Sequence, residues 1–135
     1  MSEPADAPTP TWPTAVFAIT LFQEDLAAAK DFYGRAFGGS VVFEDANSAV
    51  FRFGDTMVNL LDVAAAPELV EPAAIGAPAA GSRLVLTVQV DDVDAHCERL
   101  QAAGITLLNG PMDRPWGPRT ASFRDPGGHI WEIAH

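Results

Sequence analysis

The sequence predicts an α+β fold in which two βαβββ modules form one curved, eight-stranded mixed sheet around a cup, with the helices outside. The first observation behind this prediction is that strand and helix patterns follow in the same order in both halves of the 135-residue chain. The second is the regular spacing of the helix boundaries. Asp25 and Asp92, which precede the helices, are 67 positions apart, and Gly39 and Gly104, which follow them, are 65 apart. A pair of ferredoxin-like α+β sandwiches is the alternative that this pattern leaves open.

The first module is predicted at residues 15–62, after a proline-rich lead-in at residues 1–14 that we expect to be flexible. Residues 15–22 are apolar and partly β-branched, which predicts a strand. Residues 26–37 carry apolar side chains at steps of three and four, which predicts a helix that Asp25 can cap. Three further strands are predicted at residues 40–44, 49–53 and 56–62.

The second module is predicted at residues 82–135 and repeats this order. Residues 63–81, rich in alanine, proline and glycine, predict a linker between the modules. A strand at residues 83–90 leads to a helix at residues 92–103. The remaining strands are predicted at residues 105–108, 119–123 and 129–134, the last two joined by the tight turn Asp125-Pro-Gly-Gly128.

Composition excludes several classes of partner. The 18 acidic residues outnumber the 8 basic ones, and a net charge of −10 disfavours binding to nucleic acid. No run approaches the roughly 20 apolar residues that cross a membrane. Cys97 is the only cysteine, so an internal disulfide is impossible, which agrees with a cytoplasmic protein.

Two stretches resemble a known family. They are TLFQEDLAAAKDFYGRAFG at residues 20–38 and WGPRTASFRDPGGHIWEIA at residues 116–134, and they resemble the opening and closing signatures of the vicinal oxygen chelate superfamily. That group includes glyoxalase I, bleomycin- and fosfomycin-resistance proteins and extradiol dioxygenases. The resemblance covers residues 15–134 and implies paired βαβββ modules around a U-shaped cup, commonly in homodimers.

The resemblance also implies where a metal would bind. Enzymes of that family hold a divalent metal with His or Gln on the first strand of a module and Glu near the end of the last. Carried over, these positions fall on Ala18 and Asn59 in the first module and on Val85 and Glu132 in the second. Only Glu132 is a good ligand, whereas a zinc or iron site needs three or four. We therefore expect no catalytic metal and no cofactor.

Strand parity places a set of candidate ligand-binding residues on the inner face of the cup. Trp116, in the loop at residues 109–118, either stacks on a ligand or covers the edge of the core. Arg119 is expected to reach inward, to Glu132 or to a ligand anion. The full set is Thr20, Phe22, Met57, Asn59, Thr87, Trp116, Arg119 and Glu132.

The favoured hypothesis is a cytoplasmic, metal-free small-molecule binding protein that sequesters an antibiotic or natural product, with an aromatic or cationic ligand. The alternative is a lyase, isomerase or dioxygenase-like enzyme that uses Glu132 as general base or metal ligand. Glu132 as a purely structural carboxylate explains its position equally well. A third hypothesis is a ligand-sensing or scaffold subunit. We expect a homodimer, in which the cup is completed either within one chain or by exchange between two chains.

Overall fold

The computed structural model describes residues 11–135, and this range contains eight strands and three α-helices. Most of the lead-in predicted at residues 1–14 lies outside the described residues. The strands are β1 (Ala18–Gln23), β2 (Val41–Glu44), β3 (Ser48–Phe53), β4 (Thr56–Asp62), β5 (Val85–Gln89), β6 (Leu107–Asp113), β7 (Arg119–Arg124) and β8 (Ile130–Ala134). The helices are α1 (Leu26–Phe37), α2 (Pro67–Val70) and α3 (Val93–Ala102).

The strands form two four-stranded mixed sheets of identical topology. The N-terminal sheet has the order β1-β4-β3-β2, and the C-terminal sheet has the order β5-β8-β7-β6. In each sheet the first strand pairs in parallel with the last, and the other neighbours are antiparallel. The predicted α+β fold of two βαβββ modules with eight strands is confirmed. No strand pair links the two sheets within residues 11–135.

The two long helices begin in the same way. The Asp25 carboxylate accepts a hydrogen bond from the backbone N–H of Ala28 at 3.0 Å, and Asp92 accepts one from Ala95 at 3.1 Å. Each bond satisfies one of the N–H groups that a helix start leaves unpaired. At the other end of α1, Gly38 takes the left-handed conformation, with φ 67°, that favours glycine. The repeated Asp therefore marks the start of both helices.

Both helices lie between the sheets. Side chains of α1, α3 and both sheets belong to a single buried cluster. The indole of Trp131 in β8 stacks on the ring of Phe53 in β3, with 5.3 Å between centroids, and packs against Phe37 of α1 at 5.0 Å. The chain thus has one continuous hydrophobic core, and each sheet turns its other face away from that core. We call this second surface the helix-free face.

This layering bears on how a cup with the helices outside can form. Such a cup needs the helix-free faces of two sheets to face each other. Within one chain they point in opposite directions, because the helix-bearing faces meet in the core. Within residues 11–135 the two helix-free faces therefore do not face each other, and no cup forms between them.

A buried polar cluster ties the two modules together. The Asp125 carboxylate accepts hydrogen bonds from Tyr33 Oη at 2.7 Å and from Gln23 Nε2 at 2.9 Å, both in the first module. It also accepts the backbone N–H of His129 at 2.9 Å, and Trp131 Nε1 donates to Tyr33 Oη at 2.7 Å. Because burial and the Asp125 charge both disfavour the phenolate, the pKa of Tyr33 is raised. Tyr33 therefore remains the donor.

The segment predicted as a linker at residues 63–81 contains short helical turns. They are the 3-10 turn Val63–Ala65, helix α2 and the 3-10 turn Pro78–Ala80. None of the helices within residues 11–135 is long and apolar enough to cross a membrane.

Candidate functional site

The helix-free face of the N-terminal sheet carries four of the predicted site residues. Thr20 on β1 is the register partner of Asn59 on β4, and Met57 and Phe22 lie two residues away along their strands. All four are partly exposed. Although the Asn59 side chain is partly exposed, its Oδ1 atom is buried and has no hydrogen-bond partner among the described residues. A buried acceptor without a donor is uncommon in folded proteins.

The corresponding face of the C-terminal sheet carries Thr87 and Glu132. They are register partners on β5 and β8, and Thr87 Oγ1 donates a 3.0 Å hydrogen bond to Glu132 Oε1. On the other side of Glu132 lies its register partner on β7, Ser122, which is 8% exposed. The carboxylate therefore has a neutral hydroxyl as its hydrogen-bond partner. No cation of the described residues pairs with it.

Trp116 and Arg119 differ in what surrounds them. Trp116, in the turn between β6 and β7, is 72% exposed. The guanidinium of Arg119 makes two 2.8 Å hydrogen bonds to Asp94 of α3 and one of 3.1 Å to Asp113. The expected approach of Arg119 to Glu132 is not formed, because two carboxylates on the helix-bearing side engage it. Hydrogen bonding to Arg119 also lowers the pKa of Asp94.

Arg114 occupies the helix-free face, where we expected Arg119 from the sequence. Its Nε donates to Thr120 Oγ1 and its Nη2 to Asn109 Oδ1, both at 2.7 Å. Its guanidinium carbon lies 5.8 Å from the centre of the Trp116 ring. The register of the β6–β7 hairpin explains this placement. The backbone N–H of Arg114 bonds to the carbonyl oxygen of Pro118, so its side chain lies on the same face of the sheet as that of Thr120.

The residues at the family's metal positions do not fit a divalent metal. Ala18 and Val85 have no donor atom, Asn59 offers one neutral oxygen, and the Glu132 carboxylate is bound to Thr87. Zinc and iron need three or four nitrogen, sulfur or carboxylate ligands, and magnesium needs an oxygen-rich shell. Within the described residues, no group of three or more His, Cys, Asp or Glu side chains is placed to hold an ion. The donor atoms at these positions therefore do not suit catalysis by a bound metal.

The three histidines are engaged in contacts away from this site. His96 Nε2 lies 3.1 Å from the carbonyl oxygen of Ala36, and His129 Nδ1 lies 3.0 Å from Asp125 Oδ1. His135 Nδ1 accepts the backbone N–H of Val93 at 2.9 Å. The contacts of His96 and His135 thus join different segments of the fold, and that of His129 lies within the turn between β7 and β8.

Two crevices within the described residues each include one predicted site residue, Phe22 in one and Thr87 in the other. A crevice of about 260 Å³ opens at the seam between the modules, beside Phe37, Phe53 and His96. The helix-free faces are open surfaces instead. We favour them as the candidate site, because they combine the unpaired Asn59 acceptor with Glu132 and Arg114, whereas the crevice lacks an unpaired buried polar atom.

Comparison with known proteins gives one consistent result. The profile of the Glyoxalase/Bleomycin resistance protein/Dioxygenase superfamily matches residues 15–133. The chain is 31% identical to the uncharacterized protein YraH of Bacillus subtilis over 119 residues, which cover 85% of this chain and 93% of YraH. It is 32% identical over 124 residues to the uncharacterized protein Rv0887c of Mycobacterium tuberculosis, covering 84% of this chain and 69% of that protein.

Solved structures show the same likeness. A glyoxalase-related enzyme from Fulvimarina pelagi superposes with a TM-score of 0.79 at 32% identity, covering 90% of this chain and 88% of that one. A lactoylglutathione lyase from Agrobacterium tumefaciens gives a TM-score of 0.71 at 26% identity, covering 90% and 93%.

Proposed function

Since the chain belongs to the glyoxalase/bleomycin resistance protein/dioxygenase superfamily, we propose that it binds a small organic molecule without a catalytic metal. The ligand lies in a cup that two copies of the chain form together. Sequestration of an antibiotic or natural product is the role that such binding serves.

The observation that carries this proposal is the Asn59 acceptor. Its Oδ1 atom is buried without a hydrogen-bond donor, on a face whose other prominent side chains are Met57 and Phe22. An unpaired buried acceptor costs about 1–3 kcal/mol of stability, so we expect water, a ligand or a partner chain to supply a donor to Asn59 Oδ1. This pattern of apolar surface with a few oriented polar atoms is typical of small-molecule sites.

A homodimer supplies the second wall of the cup. The helix-free faces and neighbouring edges expose large apolar side chains, among them Phe43 at 58%, Val85 at 54% and Trp116 at 72%. Exposed apolar patches of this kind mark interaction surfaces. Packing the N-terminal sheet of one copy over the C-terminal sheet of the other covers both patches and, by two-fold symmetry, creates two equivalent cups.

The composition of the cup favours aromatic and cationic ligands. One wall contributes Thr20, Met57 and Asn59, and the other contributes Thr87 and Glu132. A ligand cation can replace water around Glu132 and form a charge-assisted hydrogen bond, which is about twice as strong as a neutral one. Aromatic rings match the apolar surface and Trp116.

The experiment that tests this function is a thermal-shift screen of antibiotics and aromatic metabolites, followed by calorimetry of the hits and mass spectrometry of the recovered compounds. Recovery of unchanged ligand supports binding. A product would establish an enzyme instead, with Glu132 as its candidate base.

A further inference from the structure

Two oppositely charged side chains share the helix-free face of the C-terminal sheet without forming an ion pair. The four strands of this sheet place Asn109, Ser122, Glu132 and Thr87 in one row across the face, because they are successive register partners. At one end of the row the Glu132 carboxylate is bound by Thr87. At the other end Asn109 binds the guanidinium of Arg114.

The spacing of this row sets the distance between the charges. Neighbouring strands lie about 4.8 Å apart, so β6 and β8, which flank β7, are separated by roughly 10 Å. Thr87 holds Glu132 from the β5 side, whereas Asn109 holds Arg114 from the β6 side. The two neutral partners therefore draw the charges away from each other, and Ser122 lies between them.

Arg114 has the geometry of a prepared anion site. Thr120, 1% exposed, and Asn109 fix the direction of its planar guanidinium through two hydrogen bonds. An arginine has five N–H donors, so three of those of Arg114 have no acceptor within residues 11–135. A fixed fork with free donors matches the two oxygens of a carboxylate.

Comparison with Arg119 shows why Arg114 is the available arginine. Arg119 already binds the carboxylates of Asp94 and Asp113. Among the described residues, Arg114 has only neutral hydrogen-bond partners and the ring of Trp116. The positive charge of Arg119 is compensated by carboxylates of the protein, whereas that of Arg114 is available to a ligand anion.

We propose that Arg114 and Glu132 are the two poles of one subsite that recognises a zwitterionic aromatic ligand. Arg114 binds the ligand's carboxylate, Glu132 binds its ammonium group, and Trp116, whose ring lies beside the Arg114 guanidinium, packs on the ligand ring at the carboxylate end. The proposal rests on the small-molecule function proposed above and specifies its ligand class. The net charge of −10 does not prevent binding of the carboxylate, because the field of distant charges is screened beyond about 8 Å at physiological salt.

Three small probes test the two poles separately. 4-(Aminomethyl)benzoate carries a ring and both charges, whereas benzylamine and benzoate each carry one charge. Calorimetry on the full-length protein should show the zwitterion binding about tenfold or more tightly than either single-charge probe. Arg114→Gln should weaken the zwitterion and benzoate by about 10- to 100-fold and leave benzylamine within about twofold. Arg114→Lys, which keeps the charge but loses the fork, should recover only part of the affinity.

Arg83→Gln is the matched control, since Arg83 is exposed, makes no ion pair within the described residues and changes net charge equally. Melting temperatures of all variants show that they fold. The assignment of Arg114 as the anion pole is wrong if Arg114→Gln leaves the affinity for benzoate and for the zwitterion unchanged. It is also wrong if Arg83→Gln reduces these affinities equally. If Arg114 is ruled out but benzylamine still binds through Glu132, the proposed small-molecule function stands and the zwitterion subsite does not. If none of the probes and none of the screened compounds binds, both proposals fail.

Discussion

Tyr33 of α1 donates a 2.7 Å hydrogen bond to the carboxylate of Asp125, which lies 92 residues later in the turn before β8. This contact joins a helix of the first module to the last hairpin of the second. Both groups are buried, so neither can turn to water if the other is removed. The contact explains why the closing turn needs an aspartate where a hairpin alone would accept other residues.

Asp125→Ala should lower the free energy of unfolding by about 2–4 kcal/mol, because it leaves the Tyr33 hydroxyl and the Gln23 amide without their buried acceptor. Urea denaturation measures the change. Asp31→Ala is the control, since Asp31 is exposed and its ion pair within residues 11–135 is with Arg35, one helical turn away. It should cost less than about 0.5 kcal/mol. Equal effects of both substitutions would show that the buried cluster contributes no more to stability than an exposed ion pair.

Stability should also depend on pH through Asp125. Burial by itself would raise the pKa of this carboxyl, but the hydrogen bond and charge of His129, with the hydrogen bonds from Tyr33 and Gln23, bring it below its ordinary value. The stabilisation is therefore present above the unfolded-state pKa of about 3.9 and is lost as pH falls through the folded-state value. Wild type should lose more stability below about pH 4 than Asp125→Asn does. Parallel curves for the two proteins would refute this assignment.

Asn59→Leu should change stability and affinity in opposite directions. Removing an unpaired buried acceptor should stabilise the ligand-free protein by up to about 1 kcal/mol. The same change removes the acceptor that we assign to the ligand, so hits that carry a hydrogen-bond donor should bind about 1–2 kcal/mol more weakly. Thermal melts with and without ligand give both quantities. Loss of stability without loss of affinity would mean that Asn59 has a structural partner.

Glu132→Gln should weaken cationic ligands by about 1.5–3 kcal/mol and leave neutral ligands nearly unchanged, because it removes the charge and keeps the shape. Glu98→Gln is the matched control on the exposed surface of α3. Titration calorimetry with one cationic and one neutral hit provides the comparison. An equal loss for both hits would indicate a structural role for the carboxylate.

The protein should be a dimer of its 14.3 kDa chain. A charge introduced at Val85, on the helix-free face, should separate the subunits, since an unpaired charge in an apolar interface is costly. Light scattering of Val85→Glu should therefore give the monomer mass. Leu69→Glu, at an exposed position in α2, should leave the dimer intact. A monomeric wild type would contradict the shared cup.

Local patterns in the sequence predicted the fold well, whereas the site was predicted less completely. The repeated Asp25 and Asp92 gave the helix starts, because capping depends only on neighbouring backbone groups. The partners of Arg114 and Arg119 depend on the register of the hairpin between β6 and β7, which a one-residue shift reverses. The irregular pairing of β6 could not be predicted from residue type, so the sequence pattern directed Arg119 to the helix-free face, which Arg114 occupies instead.

The position of the helices between the two sheets could also not be predicted from local sequence patterns. Alternation in β5 and β8 separates Thr87 and Glu132 from Trp131, but it does not say which element covers Trp131. That answer depends on Phe37 and Phe53, both in the other module. Only the packed structure shows that the modules meet through their helix-bearing faces.

The most direct test of the account is calorimetry of the strongest screen hit before and after chelation, with metal analysis of the protein and mass spectrometry of the recovered ligand. The donor set at Ala18, Asn59, Val85 and Glu132 does not suit a metal. We therefore expect no stoichiometric zinc, iron, manganese or nickel, the same affinity after chelation, and unchanged ligand. One metal ion per chain that disappears in Glu132→Ala, or conversion of the ligand to product, would contradict the proposed metal-free binding function.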